Sequence, residues 1–321
     1  MMVKIGVVGA GYWGKNIIRV LSQLGAIQAV CDSDPRAMQR IKSKYAGISC
    51  ESSFKKFLEN PYIKTVAIAT PAATHYNLIK RSLLAAKDVF VEKPLALKIK
   101  KAKELSKIAK EKNRILMVGH LLQYHPAVRK LKDIILKGRL GKIQYICSNR
   151  LNIGKLRTEE NILWSFAPHD VSVVLMLLEQ RPKEVDAFGA AYLNKGSQDI
   201  TLTTFNFKNN AKGHIFVSWL HPYKEQKLIV IGSKAMAVFD DLSKEKLFIY
   251  PHKIKWNGKI PVAKKADCFI VKVKRKEPLE EEMKHFIECV KKRKKPKTDA
   301  EEAIRVLEVL EKAQKSLADK K

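Results

Sequence analysis

The chain has 321 residues, 46% of them hydrophobic, which is the length and composition of a globular protein with two domains. Its 62 Lys and Arg residues against 32 Asp and Glu give a formal net charge of +30, a field that attracts polyanions. No apolar run approaches a membrane span and the chain opens directly on a strand, so we expect a cytoplasmic protein with no membrane partner.

The first predicted strand, residues 3–8, runs into a glycine-rich turn, Gly9-Ala10-Gly11-Tyr12-Trp13-Gly14. Gly9 permits a tight turn, Gly11 lets the backbone approach a pyrophosphate, and Gly14 lets the next helix pack close to the sheet. Asp32 closes a second apolar run 18 positions after Gly14, where an acid accepts from the adenosine ribose. The turn therefore predicts a dinucleotide site, and Asp32 favours NAD over NADP.

Further cofactor contacts are expected along the same half. Arg36, in a predicted helix over residues 35–45, is a candidate for stacking on adenine, while Tyr12 and Trp13 fit packing and cofactor contact equally well. The buried strand 65–69 is followed by Thr70 and Pro71, which we expect beside the nicotinamide. They are followed by a helix over residues 74–86. His75 fits either a place beside the nicotinamide or a helix position without a ligand.

The strand over residues 89–91 leads into Glu92-Lys93-Pro94. Lys93 stands at the carboxyl end of a strand, from which it can bind the cofactor or polarise a reacting hydroxyl. Glu92 can hold Lys93 charged, contact the cofactor ribose, or be a surface carboxylate. A helix over 98–112 and a strand over 115–118 complete a doubly wound parallel sheet, a Rossmann domain predicted for residues 1–122.

After residue 123 the hydrophobic period changes. Gln123 precedes a helix over 126–137, a strand over 143–152, a loop and a helix over 168–178. Six strands follow and two amphipathic helices close the chain, over residues 184–193, 200–207, 213–220, 227–231, 235–240, 246–250, 280–290 and 301–317. This pattern predicts an α+β domain over residues 123–321 with a large, mostly antiparallel open sheet.

Residues 149–170 of this half carry the candidate substrate contacts. Lys155 and Arg157 can pair with a diphosphate or be solvated cations, and Asn152, Asn161 and Trp164 offer amide and aromatic groups. His169 opens an apolar helix, and because imidazole titrates near neutrality it is a candidate general base alongside Lys93. Which of the two takes the proton stays open.

The remaining composition argues against other site classes. The five cysteines show no paired spacing, so we expect neither disulfides nor a metal site. The dense basic run over residues 291–297 lies between two predicted helices and fits a solvated loop, and the chain carries no nucleic-acid module. A specific nucleic-acid partner is therefore the less favoured alternative.

Together these motifs carry a family resemblance. The glycine turn, Ala69-Thr70-Pro71 with His75, Glu92-Lys93-Pro94 and the pair His169-Asp170 resemble the glucose-fructose oxidoreductase, inositol dehydrogenase and MocA family over essentially the whole chain. The resemblance implies NAD as cofactor, Lys93 and His169 in catalysis, and Gln123 near the carboxamide. Many members carry Asp four residues before the histidine, where this chain has Ser165, which puts an Asp-assisted relay in doubt.

Residues 149–170 resemble more narrowly the members that oxidise the 3-hydroxyl of UDP-N-acetylglucosamine or its uronic acid. The resemblance implies a 3-dehydrogenase of a UDP-linked amino sugar. The uronate, a free sugar or inositol, and a non-catalytic dinucleotide-binding regulator are the alternatives. The family resemblance also implies a homodimer or homotetramer, formed through the open sheet face that carries Phe205, Phe207, Phe216 or their alternating neighbours.

Overall fold

The structure, a computed structural model, describes residues 3–154, 156–157 and 160–319. These residues form two compact units, one running up to Leu121 and including Glu277–Leu307, the other comprising Leu122–Lys276 and the chain from Glu308 onward. The predicted fold class is confirmed, since an α/β Rossmann sheet is followed by a second, mostly antiparallel sheet.

The first unit contains a six-stranded parallel sheet in the order β3-β2-β1-β4-β5-β6. Its strands are β1 (Ile5–Val8), β2 (Ile27–Cys31), β3 (Ser49–Glu51), β4 (Thr65–Ile68), β5 (Asp88–Glu92) and β6 (Leu116–Gly119). Its connecting helices are α1 (Gly14–Gln23), α2 (Pro35–Lys44), α3 (Phe54–Glu59), α4 (Ala72–Leu84) and α5 (Ile99–Glu111). Strands β1 and β4 are buried along their whole length, which explains why their sequences consist almost entirely of apolar residues.

The second unit contains an eight-stranded sheet in the order β16-β13-β12-β11-β7-β10-β9-β8, in which only β7 and β10 of the described strands pair in parallel. After a 3₁₀ turn over Leu121–Tyr124 come α6 (Pro126–Leu136), β7 (Ile143–Leu151), α7 (Ile162–Leu178), β8 (Glu184–Ala190), β9 (Ile200–Asn206) and β10 (Lys212–Ser218). The remaining strands are β11 (Glu225–Gly232), β12 (Met236–Asp240), β13 (Leu247–Tyr250), β14 (Lys253–Asn257), β15 (Ile260–Lys264) and β16 (Phe269–Ile270).

Helix α7 is longer than the sequence indicated. Its expected start was Pro168, a residue that favours the first turn of a helix, but the helix begins at Ile162 and Pro168 lies inside it. Asn161 caps the helix by accepting a hydrogen bond from the backbone N–H of Trp164 at 3.2 Å. Pro168 has no N–H to donate to the carbonyl of Trp164 one turn earlier, so that carbonyl lacks its usual helical donor.

The two closing helices, α8 (Pro278–Lys292) and α9 (Ala300–Asp319), depart from the predicted boundary at residue 122, because α8 and the start of α9 belong to the first unit. Phe286 packs on Phe90 of β5 with ring centroids 5.7 Å apart, and Arg293 donates to Asp88 at 2.7 Å. An amphipathic pattern shows that a helix buries one face. It does not show which sheet receives that face.

The second sheet has one face covered by helices, and the alternation of side chains decides which residues lie there. Phe205 and Phe207 are buried, 3% and 4% exposed, whereas Phe216 points to the opposite face, where it pairs across the strands with Leu202, which in turn pairs with the 70%-exposed Phe188. Phe205 and Phe207 are therefore core residues, so of the two expected alternatives the open face carries Phe216 and the alternating neighbours of Phe205. Side chains two residues apart on a strand share a face. Phe216 pairs with Leu202, which is an odd number of positions from Phe205, so Phe216 and Phe205 lie on opposite faces of the sheet.

Within the described ranges, no helix combines the length and apolar character needed to cross a membrane.

Candidate active site

The glycine turn between β1 and α1 is shaped by three different constraints. A Cβ at Gly14 would lie 1.9 Å from the carbonyl oxygen of Gly9, and one at Gly9, whose φ is +95°, would lie 2.6 Å from the carbonyl oxygen of Ala69. A Cβ at Gly11 would meet no heavy atom of the described residues within 4 Å. Packing of the protein therefore requires glycine at positions 9 and 14. At position 11 a glycine fits the close approach of a ligand such as a pyrophosphate.

Asp32 stands at the carboxyl end of β2, beside this turn. Its Oδ2 atom accepts from the backbone N–H of Ala10 at 2.6 Å, and its Oδ1 atom accepts from that of Asp34 at 2.9 Å. The carboxylate is thus fixed against the glycine turn while remaining half-buried, a placement suited to accepting from ribose hydroxyls. Arg36 is the second residue of α2 and is exposed.

The two aromatic residues of the turn have different surroundings. Tyr12 is 77% exposed, with the Lys15 ammonium 5.3 Å from its ring centroid. Trp13 is half-buried, and its indole N–H donates to the Glu92 carboxylate at the end of β5. Trp13 therefore ties the glycine turn to the residue that precedes Lys93.

Lys93 follows β5 directly and is half-buried. Burial raises the pKa of its neighbour Glu92 to about 7, against the hydrogen bond from Trp13 and the positive charges of Lys93 and His120, all of which lower it. Lys93 is thus an ammonium beside a carboxylate that titrates near neutrality, at the carboxyl edge of the sheet where Rossmann ligands bind.

His75 lies below this edge instead of on it. The ring is 1% exposed, with Nδ1 2.7 Å from the carbonyl oxygen of Pro94 and Nε2 2.8 Å from that of Thr70. Burial lowers its pKa, the two carbonyl contacts raise it, and the charge of Lys93 lowers it again. Both ring nitrogens face backbone carbonyls, which favours the alternative of a helix residue without a ligand, and a place beside the nicotinamide stays a prediction. Thr70 stays half-buried and Pro71 exposed after β4.

Gln123 is also buried, at 5% exposure, within the second unit. Its amide nitrogen donates to the Ser172 hydroxyl at 2.6 Å, one turn after His169 in α7. This hydrogen bond ties the amide to α7, and the place of Gln123 near the carboxamide stays a prediction.

His169 is half-buried in α7, and the residue after it anchors the helix to the sheet. Asp170 is 4% exposed and accepts from the Ser148 hydroxyl and from Arg150 Nε, both on β7 and both at 2.7 Å. A buried ion pair with these extra hydrogen bonds fixes the rotation of α7 on β7. The sequence motif contained Asp170 but offered no role for it.

The candidate substrate contacts separate into two groups. Asn152 is half-buried just after β7, and Arg157 is exposed, with Nε 3.4 Å from the Glu160 carboxylate. Lys155 lies outside the described residues. Asn152 and Arg157 are therefore placed where a ligand can reach them.

Asn161 and Trp164 instead hold the start of α7. The Asn161 amide nitrogen donates to Gln198 at 2.9 Å and to Gln314 at 2.8 Å, and the Trp164 indole N–H donates to Gln314 at 3.1 Å. With its oxygen on the Trp164 backbone, the Asn161 side chain caps the helix, and its predicted substrate contact stays a prediction. The preference of asparagine for N-caps was the available sequence signal.

The first unit also contains buried charged residues that sequence reasoning missed. Glu282 of α8 is 0% exposed, and His120, 3% exposed, lies 2.5 Å from the Glu302 carboxylate. The signal for Glu282 was an acid on the apolar face made by Leu279, Met283 and Phe286. Among the described residues no group of three or more His, Cys, Asp or Glu side chains is arranged to hold a metal ion.

The basic run after α8 is largely paired with acids of the same unit. Arg293 contacts Asp88, and Lys295 contacts Asp299 and Glu301 at 3.0 and 2.7 Å. These ion pairs account structurally for part of the run.

Comparison with known proteins adds two family matches. A model described as "Oxidoreductase family, NAD-binding Rossmann fold" of the GFO/IDH/MocA group matches residues 3–120, and one for the GFO/IDH/MocA C-terminal domain matches residues 128–238. The scyllo-inositol 2-dehydrogenase (NAD(+)) of Bacillus subtilis is 27% identical, the alignment covering 92% of this chain and 88% of that protein.

Two solved structures share the fold. UDP-N-acetylglucosamine 3-dehydrogenase GnnA from Acidithiobacillus ferrooxidans superposes with a TM-score of 0.85 at 20% identity, covering 99% of both chains. The WlbA dehydrogenase from Bordetella pertussis, in complex with NADH and UDP-GlcNAcA, gives a TM-score of 0.81 at 20% identity, covering 100% of this chain and 98% of that one.

Proposed function

The chain belongs to the Gfo/Idh/MocA family of oxidoreductases with an NAD-binding Rossmann domain, and we propose that within it the protein is a UDP-N-acetylglucosamine 3-dehydrogenase. The reaction removes a hydride from C3 and a proton from the hydroxyl oxygen on C3, and leaves a 3-keto sugar nucleotide. Lys93 and His169 are the proposed catalytic residues.

The observation that carries the oxidoreductase chemistry is the place of Lys93. It leaves β5 at the carboxyl edge of the sheet, and its neighbour Glu92 is bonded to Trp13 of the glycine turn. An ammonium at this position donates a hydrogen bond to the reacting hydroxyl, which stabilises the alkoxide character that develops as the proton leaves.

The cofactor fits the residues of the first unit. The glycine turn and the start of α1 would hold the pyrophosphate, and Asp32 would accept from the adenosine ribose. NAD, when bound, supplies the hydride acceptor. His169, half-buried in α7, is proposed to take the hydroxyl proton, and its orientation depends on α7 being held by Asp170 and Arg150.

The sugar-nucleotide specificity is supported by Arg157 and by the sequence resemblance of residues 149–170. The planar Arg157 guanidinium suits bidentate pairing with a diphosphate, and Asn152 offers an amide to the acetamido sugar. Lys155 stays a candidate second cation. Ser165 stands where many members have Asp, so in this chain the orientation of α7 comes from a different set of buried contacts.

Two other substrates have specific support. The uronate form of the sugar nucleotide shares every proposed contact, and the inositol dehydrogenase relative favours a free polyol. An NADH-absorbance assay on UDP-N-acetylglucosamine, its uronate, UDP-glucose, free N-acetylglucosamine and scyllo-inositol separates them, with Lys93→Met as the control. The proposal expects turnover with the first two and little with free sugars. Efficient oxidation of scyllo-inositol would replace the proposed sugar-nucleotide substrate with a free polyol. NAD binding without turnover of any of these compounds would favour a non-catalytic regulator.

We also propose that the open face of the second sheet forms a homodimer or homotetramer interface. Phe188, Leu202 and Phe216 lie side by side there. Apolar side chains on a sheet face are stabilised by a twofold partner. Sedimentation at micromolar concentration tests this: Phe216→Asp should shift the protein toward monomer, and a monomeric wild type would contradict the interface. The cytoplasmic location stays a prediction.

A further inference from the structure

Trp13 stands at the start of α1 without capping that helix. It occupies the N-cap position, where a side chain with an oxygen acceptor is preferred, and its side chain makes no capping hydrogen bond. The indole N–H donates instead to the Glu92 carboxylate at the end of β5, 79 positions along the chain. The side chain of Trp13 therefore serves a distant strand and not its own helix.

This hydrogen bond spans one strand of the parallel sheet. Strand β4 lies between β1, which leads into the glycine turn, and β5, which ends at Glu92. Neighbouring strands are about 4.8 Å apart, so a contact from the turn after β1 to the end of β5 has to reach roughly 10 Å. A tryptophan and a glutamate, both long side chains with a polar tip, meet that requirement.

The Glu92 carboxylate is held at a second point and has room made for it at a third. The backbone N–H of Lys93 also donates to it, one of the bonds that lower the pKa of Glu92. Glu92 pairs with Gly119 of β6, where a Cβ would lie 3.0 Å from the carboxylate oxygen Oε2. A larger side chain at position 119 would push the carboxylate away, so the glycine leaves it in contact with Trp13 and Lys93.

We propose that Trp13 is a positioning residue, whose indole holds the Glu92 carboxylate and through it the backbone of Lys93 in a fixed place relative to the glycine turn. The Trp13 indole, the Glu92 carboxylate and the Lys93 backbone N–H form this bridge. The inference rests on the proposed function, in which the Lys93 ammonium donates to the reacting hydroxyl. A catalytic group acts efficiently only when the residues around it lock its position.

The charges around the bridge act on the ionisation of Glu92. Burial raises its pKa to about 7, whereas the bonds from Trp13 and Lys93 and the positive charges of Lys93 and His120 lower it. Glu282 of α8 and Glu92 repel each other. Because an indole N–H can only donate, it favours the ionised carboxylate, and the Trp13 N–H senses whether Glu92 carries a proton.

The bridge is tested first without substrate, on the wild-type protein. The chain has four tryptophans, each of which gives an indole N–H resonance in a ¹H–¹⁵N correlation spectrum. We expect one of these resonances to move as the pH passes through the titration of Glu92 near pH 7. If no indole resonance moves in that range, the hydrogen bond between Trp13 and Glu92 is overturned whether or not any variant folds.

Three variants assign the moving resonance. W13F keeps an aromatic ring but removes the donor, and W256F makes the same exchange at a 68%-exposed tryptophan of β14 as the matched control. W13F should lose the moving resonance and W256F should keep it. E92M keeps the length of the side chain without the carboxylate, so the Trp13 resonance should stay in place at every pH. Continued movement in E92M would contradict Glu92 as the partner.

Steady-state kinetics then separates positioning from cofactor contact. W13F should lower kcat about tenfold and change the KM for NAD by less than about twofold, because the bridge acts on Lys93 and not on the bound cofactor. W256F should change neither quantity. A W13F protein with unchanged kcat, or one that loses NAD affinity alone, would overturn the positioning role.

A double variant tests whether Trp13 acts through Glu92. W13F and E92M break the same bridge, so the W13F/E92M protein should have the kcat of E92M alone. Losses that multiply would mean that Trp13 acts by its packing, which contradicts the proposal. If no sugar of the panel is turned over, the proposed function fails, and the indole resonance still decides whether the bridge exists.

Discussion

The glycine turn of the first unit and residues 149–170 of the second are both rich in candidate ligand contacts, but their candidates were placed with different success. In the turn, Gly9, Gly14 and Asp32 adopt the geometry that their spacing implied. In the second segment, Asn161 is used by the fold itself, capping α7. The roles of the glycine-turn residues follow from backbone geometry, whereas the roles of residues 149–170 were predicted from side-chain chemistry alone.

The difference shows what a local motif can specify. A strand, a tight turn and a helix in immediate succession leave few backbone paths, so the role of each glycine follows from sequence order. An amide or an indole chosen for its chemistry has many possible partners. In this chain the partner of Asn161 and Trp164 is Gln314, about 150 residues away, which no local pattern indicates.

The largest expected effect tests the two proposed catalytic residues. Lys93→Met and His169→Ala should each lower kcat by about 100-fold or more and leave NAD affinity nearly unchanged, because both act on the transition state. Steady-state kinetics measures kcat, and a fluorescence titration measures the affinity for NAD. Near-normal turnover in either variant removes that residue from the catalytic set.

The next effect separates the glycines within the turn. Gly14→Ala should destabilise the protein by about 2 kcal/mol or more, since its Cβ would lie 1.9 Å from a backbone oxygen. Gly11→Ala should change stability by less than about 0.5 kcal/mol yet weaken NAD binding by about tenfold or more. Denaturant unfolding measures the stability of both variants, and NAD titration measures their affinity for the cofactor. Equal stability of the two would contradict the packing argument.

Asp32 offers a test of cofactor choice. Asp32→Asn keeps an acceptor for the Ala10 N–H but removes the charge, so NAD affinity should fall about tenfold and the preference over NADP should narrow. The ratio of kcat/KM for the two cofactors measures it. A wild-type preference for NADP would contradict the role given to Asp32.

The smallest effects sharpen the contrast within residues 149–170. Arg157→Glu should raise the KM for the sugar nucleotide about fivefold and leave the KM for NAD unchanged, as expected for an exposed ionic contact. Asn161→Ala should lower stability by about 1 kcal/mol through loss of the N-cap. If Asn161→Ala retains full stability and loses substrate affinity, the amide binds substrate after all.

The sequence predicted the fold class, the glycine turn and the strand-end position of Lys93, because these follow from period, order and spacing. It did not predict that α8 packs on the first sheet or that Phe205 is a core residue, since an amphipathic pattern does not name its partner and alternation alone does not say which face is covered. His75 and Gln123 show a related limit, since a polar residue near a strand end is as readily bonded to the backbone or to a neighbouring helix as to a ligand.

The most direct test of the proposed activity follows the hydrogen at C3. UDP-N-acetylglucosamine carrying deuterium at C3 is incubated with the enzyme and NAD, and the reduced cofactor is analysed by mass spectrometry. We expect the reduced cofactor to carry the deuterium and turnover to show a primary isotope effect wherever hydride transfer limits the rate. Reduced cofactor without deuterium would contradict oxidation at C3, even though the chain remains a member of its oxidoreductase family.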